Sequence, residues 1–118
     1  MCVARELRMA LRPKLFVLDE VPVIDGAVIR VRSALTGFLA AAARISGVAY
    51  IHVRDPAAKS LAAKIVGAAG IEVRDVTHVH PAEVARMIRG TGDRIVYVVR
   101  RGLGGSIELY KLEIGWEP

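Results

Sequence analysis

Three apolar segments of strand length alternate with helical patterns through the middle of this sequence, and that alternation narrows the choice of fold most. Residues 48–53 and 71–79 are rich in β-branched side chains, and residues 94–99 are almost wholly apolar. Between them, apolar residues recur at intervals of three and four, as in amphipathic helices. Strands joined by short helical crossovers pair in parallel. The middle of the chain therefore predicts a parallel sheet flanked by helices.

The helical patterns carry start and stop signals. A first helix is predicted between Ser33, which can cap it, and Gly47, which can end it. A second helix is predicted over residues 57–69. A proline precedes it, and the first position of a helix tolerates the missing N–H of proline. A third, shorter helix is expected after Pro81. The helices and strands of this region thus follow one another in strict alternation.

The segment before the first helix predicts an antiparallel pair of strands. Residues 15–32 contain two runs rich in Val, Ile and Leu on either side of Asp25 and Gly26. An Asp-Gly pair suits a two-residue hairpin turn, because both positions adopt left-handed backbone angles. In that register Asp19 faces Arg32, and we expect the two to form a cross-strand ion pair.

The C-terminal part predicts a further strand over residues 107–114. The glycine-rich segment 102–106 precedes it, and we interpret this segment as a turn, because a phosphate-binding loop must open a helix. The predicted fold is therefore a single compact α/β domain over residues 15–118, in the order ββαβαβαββ. It has a mostly parallel central sheet, flanking helices and an antiparallel hairpin at the edge. Residues 1–14 are predicted to form an N-terminal arm or a short helix.

The composition excludes several classes of protein. The chain has 118 residues, of which 53% are hydrophobic, and a single cysteine, so it is neither disordered nor a disulfide scaffold. Its longest apolar stretch, near residues 34–43, is about half of the ~20 residues that a membrane-spanning helix needs. The first 12 residues contain three arginines in place of an apolar signal core. We expect a cytoplasmic protein. The absence of Asn and Gln indicates a thermophilic source, and a GC-rich genome is the alternative explanation.

The excess of basic residues is the strongest functional signal. The chain has 17 Lys and Arg against 12 Asp and Glu, for a net charge of +5. Arginine clusters are typical of nucleic-acid binding, because a guanidinium can donate two parallel hydrogen bonds to a phosphate. The candidate phosphate-binding residues are Arg86, Arg89, Arg100, Arg101, Lys59 and Lys64. We therefore interpret the chain as a small basic α/β protein that contacts nucleic acid.

An alternative site is expected where the parallel strands end. Ligands of open α/β sheets bind beyond the carboxyl ends of the strands. Asp55, His78 and His80 are predicted to lie at that rim, and the two histidines to point the same way along one strand. They could serve a nucleotide-binding domain or a small enzyme, although the sequence contains no specific catalytic motif. With no third ligand beside the histidines, neither a metal nor a cofactor is predicted.

The apolar content also bears on partners. The apolar area on the predicted strand faces is larger than three short helices would cover, so a homodimer is expected. A third interpretation of the function is a non-catalytic protein–protein adaptor.

Overall fold

The chain folds into alternating strands and helices, as the sequence predicts. A computed structural model describes residues 12–90 and 92–118, so that most of the predicted N-terminal arm lies outside the described residues. The strands are β1 (Lys14–Leu18), β2 (Ala27–Ala34), β3 (Val48–His52), β4 (Glu72–Asp75), β5 (Arg94–Arg101) and β6 (Ile107–Trp116). The helices are α1 (Thr36–Ile45), α2 (Pro56–Gly67) and α3 (Pro81–Arg89). The predicted order ββαβαβαββ is confirmed in the described part of the chain.

The strands form one mixed sheet in the order β2-β6-β5-β1-β3-β4. β1 lies inside the sheet and pairs in parallel with both β3 and β5, and β3 pairs in parallel with β4. β6 runs antiparallel to its two neighbours, β5 and β2. The mostly parallel centre is therefore confirmed, and the antiparallel part of the sheet lies at the β2 edge.

The predicted hairpin between β1 and β2 is wrong. β2 pairs with β6 at the edge of the sheet, and two strands separate it from β1. Gly26 does adopt a left-handed backbone (φ 75°), but the turn leads out of a long connection instead of joining paired strands. Arg32 consequently forms its ion pair with Glu113, at 3.0 Å from Nε to Oε1, and not with Asp19. The reason is burial: β1 is apolar on both faces and belongs in the centre, whereas the half-exposed β2 suits an edge.

The helices cover the two faces of the sheet unequally. α1 and α2 pack on one face, here called the α1–α2 face, where Leu39 and Ala62 meet Leu15 and Val17 of β1. α3 packs on the opposite face, here called the α3 face, where Ile88 and its neighbours meet the other side chains of β1. The two faces alternate along each strand because successive side chains point to opposite sides. This alternation determines which polar side chains share a surface.

The start of α1 also differs from the prediction. Ser33 does not cap the helix, because β2 continues to Ala34 and Ser33 pairs with Tyr110 of β6. Leu35 occupies the N-cap position and makes no side-chain capping hydrogen bond. The ladder between β2 and β6 therefore extends the strand past the residue type that usually begins a helix.

Candidate functional site

The carboxyl ends of β1, β3, β4 and β5 meet at one edge of the sheet, here called the carboxyl rim. Among the parallel strands, β3 and β4 lie on one side of β1, and the chain then crosses to β5 on its other side. Such a reversal is a topological switch point, where open α/β sheets commonly bind ligands. The residues that follow these strands are therefore candidates for a site.

The charged residues after β1 and β3 bind each other across the rim. Arg54 Nε lies 3.0 Å from Asp19 Oδ2, and the backbone N–H of Arg54 donates to the same oxygen at 3.0 Å. The Arg54 guanidinium also contacts Glu20. The hydrogen bonds that the Arg54 guanidinium donates to Asp19 and Glu20 raise the pKa of Arg54 above its ordinary value. The sequence shows that Asp19 and Arg54 each follow a strand, but only the structure shows that these strands, β1 and β3, are neighbours.

Asp55, one of the predicted rim residues, begins α2. Its Oδ2 accepts a hydrogen bond from the backbone N–H of Ala58 at 2.9 Å, and Pro56 occupies the first helical turn. Arg101 Nη2 lies 3.2 Å from Asp55 Oδ1. The Ala58 hydrogen bond, and then the nearby Arg101 charge, lower the pKa of Asp55. Asp55 and Arg101 are thus brought together at the rim, but each already has a structural partner.

The two histidines do not lie side by side on a strand, so that prediction is wrong. β4 ends at Asp75, where the Thr77 hydroxyl and backbone N–H donate to Asp75 Oδ1 at 2.6 and 3.0 Å and turn the chain. His78 follows in this turn, and His80 caps α3 by accepting from the Ala82 N–H at 3.1 Å. In the described part of the chain, no three His, Cys, Asp or Glu side chains are grouped so that they could hold a metal.

Sequence reasoning missed a buried histidine at this rim. His52 Nε2 lies 2.8 Å from the carbonyl oxygen of Val79, and because a carbonyl can only accept, Nε2 carries a proton. His52 lines a cavity of about 30 Å³ together with Asp19 and Arg54. That volume is far below the roughly 300–1,000 Å³ of ordinary ligand pockets. The rim is therefore well ordered by ion pairs and offers little enclosed space.

The turn after β4 makes stability depend on pH. Hydrogen bonds from the Thr77 hydroxyl and N–H, and then from Lys59, lower the pKa of Asp75 from 3.8 to about 2. Because the folded pKa is the lower one, the ionised carboxylate stabilises the fold above pH 3.8, and this contribution is lost as the pH falls to about 2. Asp75→Asn is expected to unfold at lower urea than wild type at neutral pH, with a difference that disappears near pH 2. Asp25→Asn, at an exposed turn, is the control, and a pH-independent difference would contradict this account.

The six predicted phosphate-binding residues do not form one surface. Lys59 and Lys64 lie on α2, whereas Arg86 and Arg89 lie on α3, and the two helices cover opposite faces of the sheet. Arg100 and Arg101 are adjacent on β5, so their side chains also point to opposite faces. Arg100 shares the α3 face with Val96 and Val98, and Arg101 lies on the α1–α2 face. Arg86, Arg89 and Arg100 are therefore on one side, and the other three are on the other.

Several of these residues are paired with acids. Lys59 Nζ lies 3.1 Å from Asp75 Oδ2, and Arg100 Nε lies 3.6 Å from Glu108 Oε1. Arg86 contacts Glu83 one turn earlier on α3. Within residues 12–90 and 92–118, neither Arg89 nor Arg94 has a carboxylate within 4.0 Å.

Two arginine–aromatic stacks lie on the α3 face of β5 and β6. The guanidinium of Arg94 lies 5.3 Å from the ring centroid of Trp116, and that of Arg100 lies 5.4 Å from the ring centroid of Tyr110. The pairing of Val98 with Tyr110 sets the register that places all four side chains on one face. We call Arg94, Arg100, Tyr110 and Trp116 the arginine–aromatic face. Its two ends are about 20 Å apart, at ~3.4 Å per residue along β6.

α3 extends this surface at the Trp116 end. Arg89 lines a cavity of about 340 Å³ together with Arg94 and Trp116, and Asp25 and Glu117 also border it. Arg94 Nη2 donates to the carbonyl oxygens of Gly90 and Gly92 at 2.7 and 2.9 Å, which holds its guanidinium in place. The result is an open site in which the held guanidinium of Arg94 and the side chain of Arg89 lie beside one half-exposed indole.

Sequence reasoning proposed Arg86, Arg89 and Arg100 but missed Arg94, Tyr110 and Trp116. The available signal is the period of two in a strand, which places Arg94 and Arg100 on one face of β5. Their aromatic partners could not be assigned without the register between β5 and β6.

Comparisons with known proteins leave the function open. No family model, curated protein or solved structure matches the chain significantly. None of the helices in the described residues is long and apolar enough to cross a membrane.

Proposed function

We propose that this protein binds nucleic acid through the arginine–aromatic face. The observation that carries the proposal is the pair of arginine–aromatic stacks on one open face of β5 and β6. A guanidinium can bind phosphate with two hydrogen bonds, and an aromatic ring can stack on a base. The two residue types that suit a nucleotide chain therefore occur twice along the same surface.

Accessibility supports the proposal. The Arg100 side chain is 61% exposed and Trp116 is 44% exposed, so both can reach a ligand. Arg86 and Arg89 on α3 add positive charge beside the Trp116 end. Because stacking on an aromatic ring needs an unpaired base, the preferred ligand is a single strand.

The neighbouring residues Arg100 and Arg101 provide a matched test. Fluorescence anisotropy with short labelled single-stranded RNA and DNA is measured over a series of salt concentrations. We expect Arg100→Ala to weaken binding about fivefold to tenfold and to reduce the slope of log affinity against log salt by about one, because it removes a phosphate contact. Arg101→Ala, on the opposite face, should bind as wild type does. Equal losses in both variants, or no binding by wild type, would contradict the proposal.

The carboxyl rim is a second candidate, because the strand order places the topological switch point there. Under this alternative, Asp55, His78 and His80 contribute to a site for a small ligand. Thermal unfolding in the presence of nucleotides tests it, since a ligand that binds only the folded state raises the midpoint. At the rim Arg54 and Arg101 are paired with carboxylates, whereas on the α3 face the described residues place no carboxylate within 4.0 Å of Arg89 or Arg94. Nucleic-acid binding on the α3 face is therefore the better supported function.

We also propose that two copies of the chain associate. Among the described strands β2 lies at the edge of the sheet, with half-exposed Val28 and Val31, and this supports the proposal because an edge strand can pair with another strand. Light scattering at two protein concentrations gives the mass directly, and a monomer at both would refute the homodimer.

A further inference from the structure

A groove on the α1–α2 face is open to solvent and lies on the opposite side of the sheet from the arginine–aromatic face. It has a volume of about 490 Å³ and runs between α1 and the part of the sheet formed by β2, β6 and β5. That volume falls within the roughly 300–1,000 Å³ that is typical of small-molecule sites. It is therefore large enough to be considered as a second binding site.

One wall and the floor of the groove are apolar. Phe38, Ala41 and Ile45 of α1 form the wall, and Ile95 of β5 belongs to the floor. Phe38 is 57% exposed although it is a large apolar side chain. Covering such a side chain removes apolar surface from water and favours binding of an apolar group.

The opposite wall is cationic. Arg32 of β2 and Lys111 of β6 are cross-strand neighbours and both line the groove. Arg32 is paired with Glu113 at 3.0 Å. Across residues 12–90 and 92–118, by contrast, the Lys111 ammonium has no carboxylate within 4.0 Å. One positive charge at the edge of an apolar groove is thus available to an anion.

The side chain of Tyr97 also faces the groove. Tyr97 is only 3% exposed and lines the groove from β5. Its hydroxyl makes no hydrogen bond to any part of the chain that the structure describes. Burial raises the pKa of Tyr97, so the phenol stays protonated at neutral pH and can donate. The groove therefore contains an unused donor besides its cation.

We propose that this groove binds a small organic anion with an apolar body, such as an aliphatic carboxylate. The carboxylate lies beside Lys111 and Arg32, and the apolar body covers Phe38. Charge complementarity favours this occupant over a second copy of the chain, because a second copy brings the same cations and its Glu113 is already bound. The proposal does not depend on nucleic-acid binding, because the two sites are on opposite faces.

Isothermal titration of the full chain with octanoate and with 1-octanol tests the proposal. The two probes have the same tail, and only octanoate carries a charge. We expect octanoate to bind, Lys111→Met to weaken octanoate about tenfold while leaving octanol unchanged, and Phe38→Ser to weaken both. Lys64→Met, which removes an exposed cation of α2 that does not line the groove, is the control and should change neither.

Three outcomes would overturn the proposal. The first is no binding of octanoate by wild type, and the second is an equal loss in Lys111→Met and Lys64→Met. The third is a dimer in light scattering that Phe38→Ser dissociates, because a second copy would then occupy the groove. Phe38 is exposed, so its substitution is not expected to unfold the chain.

Discussion

Replacing Arg94 and Trp116 together with alanine is expected to lower the affinity for single-stranded nucleic acid at least tenfold. Stacking of a base on an aromatic side chain contributes about 1–3 kcal/mol, and the loss of the ring removes it. Arg94 adds a phosphate contact, so its loss should also reduce the salt dependence by about one unit of slope. Fluorescence anisotropy over a salt series measures both effects.

Two control variants make this result specific. The double variant Lys59→Ala and Lys64→Ala removes two positive charges from α2, on the other side of the sheet, and should bind as wild type does. Trp116→Phe keeps an aromatic ring at the site and should retain most of the affinity. If the α2 variant loses as much affinity as the Arg94 and Trp116 variant, binding depends on the net charge of the protein and not on the arginine–aromatic face.

Phe16→Ala is expected to lower the free energy of unfolding by about 3–5 kcal/mol, the usual cost of removing a buried aromatic ring. Phe16 is 0% exposed and lies on β1, inside the sheet. Its ring stacks on Tyr50 with centroids 5.2 Å apart. Truncation therefore leaves a cavity on the α3 face that rigid neighbouring strands cannot close. Urea denaturation monitored by circular dichroism gives the change.

Val23→Ala is the control for this experiment. Val23 is 90% exposed, so its truncation is expected to change the free energy of unfolding by less than about 0.5 kcal/mol. Equal effects at the two positions would show that β1 is not an interior strand, and the strand order would then be wrong.

The sequence predicted the α/β order because the local signals agree with one another. Most of β3 and the centre of β5 are apolar, and α2 and α3 begin with Pro56 and Pro81, which suit a first helical turn. These features depend on neighbouring residues alone. They are therefore visible without knowledge of the tertiary structure.

The position of β2 could not be predicted in the same way. The Asp25–Gly26 pair correctly indicates a turn, but whether the flanking strands pair depends on competition for partners elsewhere. β6 offers β2 a ladder that runs from Ala27 opposite Trp116 to Ala34 opposite Leu109. β1 instead takes two parallel partners, one on each edge, and the helices cover both of its faces. Strand order is decided by such long-range contacts.

The candidate site was predictable by residue type and not by placement. The sequence identifies the basic residues. Their division between the two faces depends on which face each helix packs against and on which side of its strand each side chain points. Arg100 and Arg101 could have been separated by the period of two alone. The stack of Arg94 on Trp116 needs the β5–β6 register as well.

The emission of Trp116 tests the central claim most directly. Trp116 is the only tryptophan in the sequence, so the intrinsic fluorescence reports on one end of the arginine–aromatic face. During titration with a short single-stranded oligonucleotide, we predict that this emission is quenched and that the quenching saturates together with the anisotropy of the labelled strand. Anisotropy that rises while the emission of Trp116 stays unchanged would contradict the account, and so would the absence of any binding at low salt.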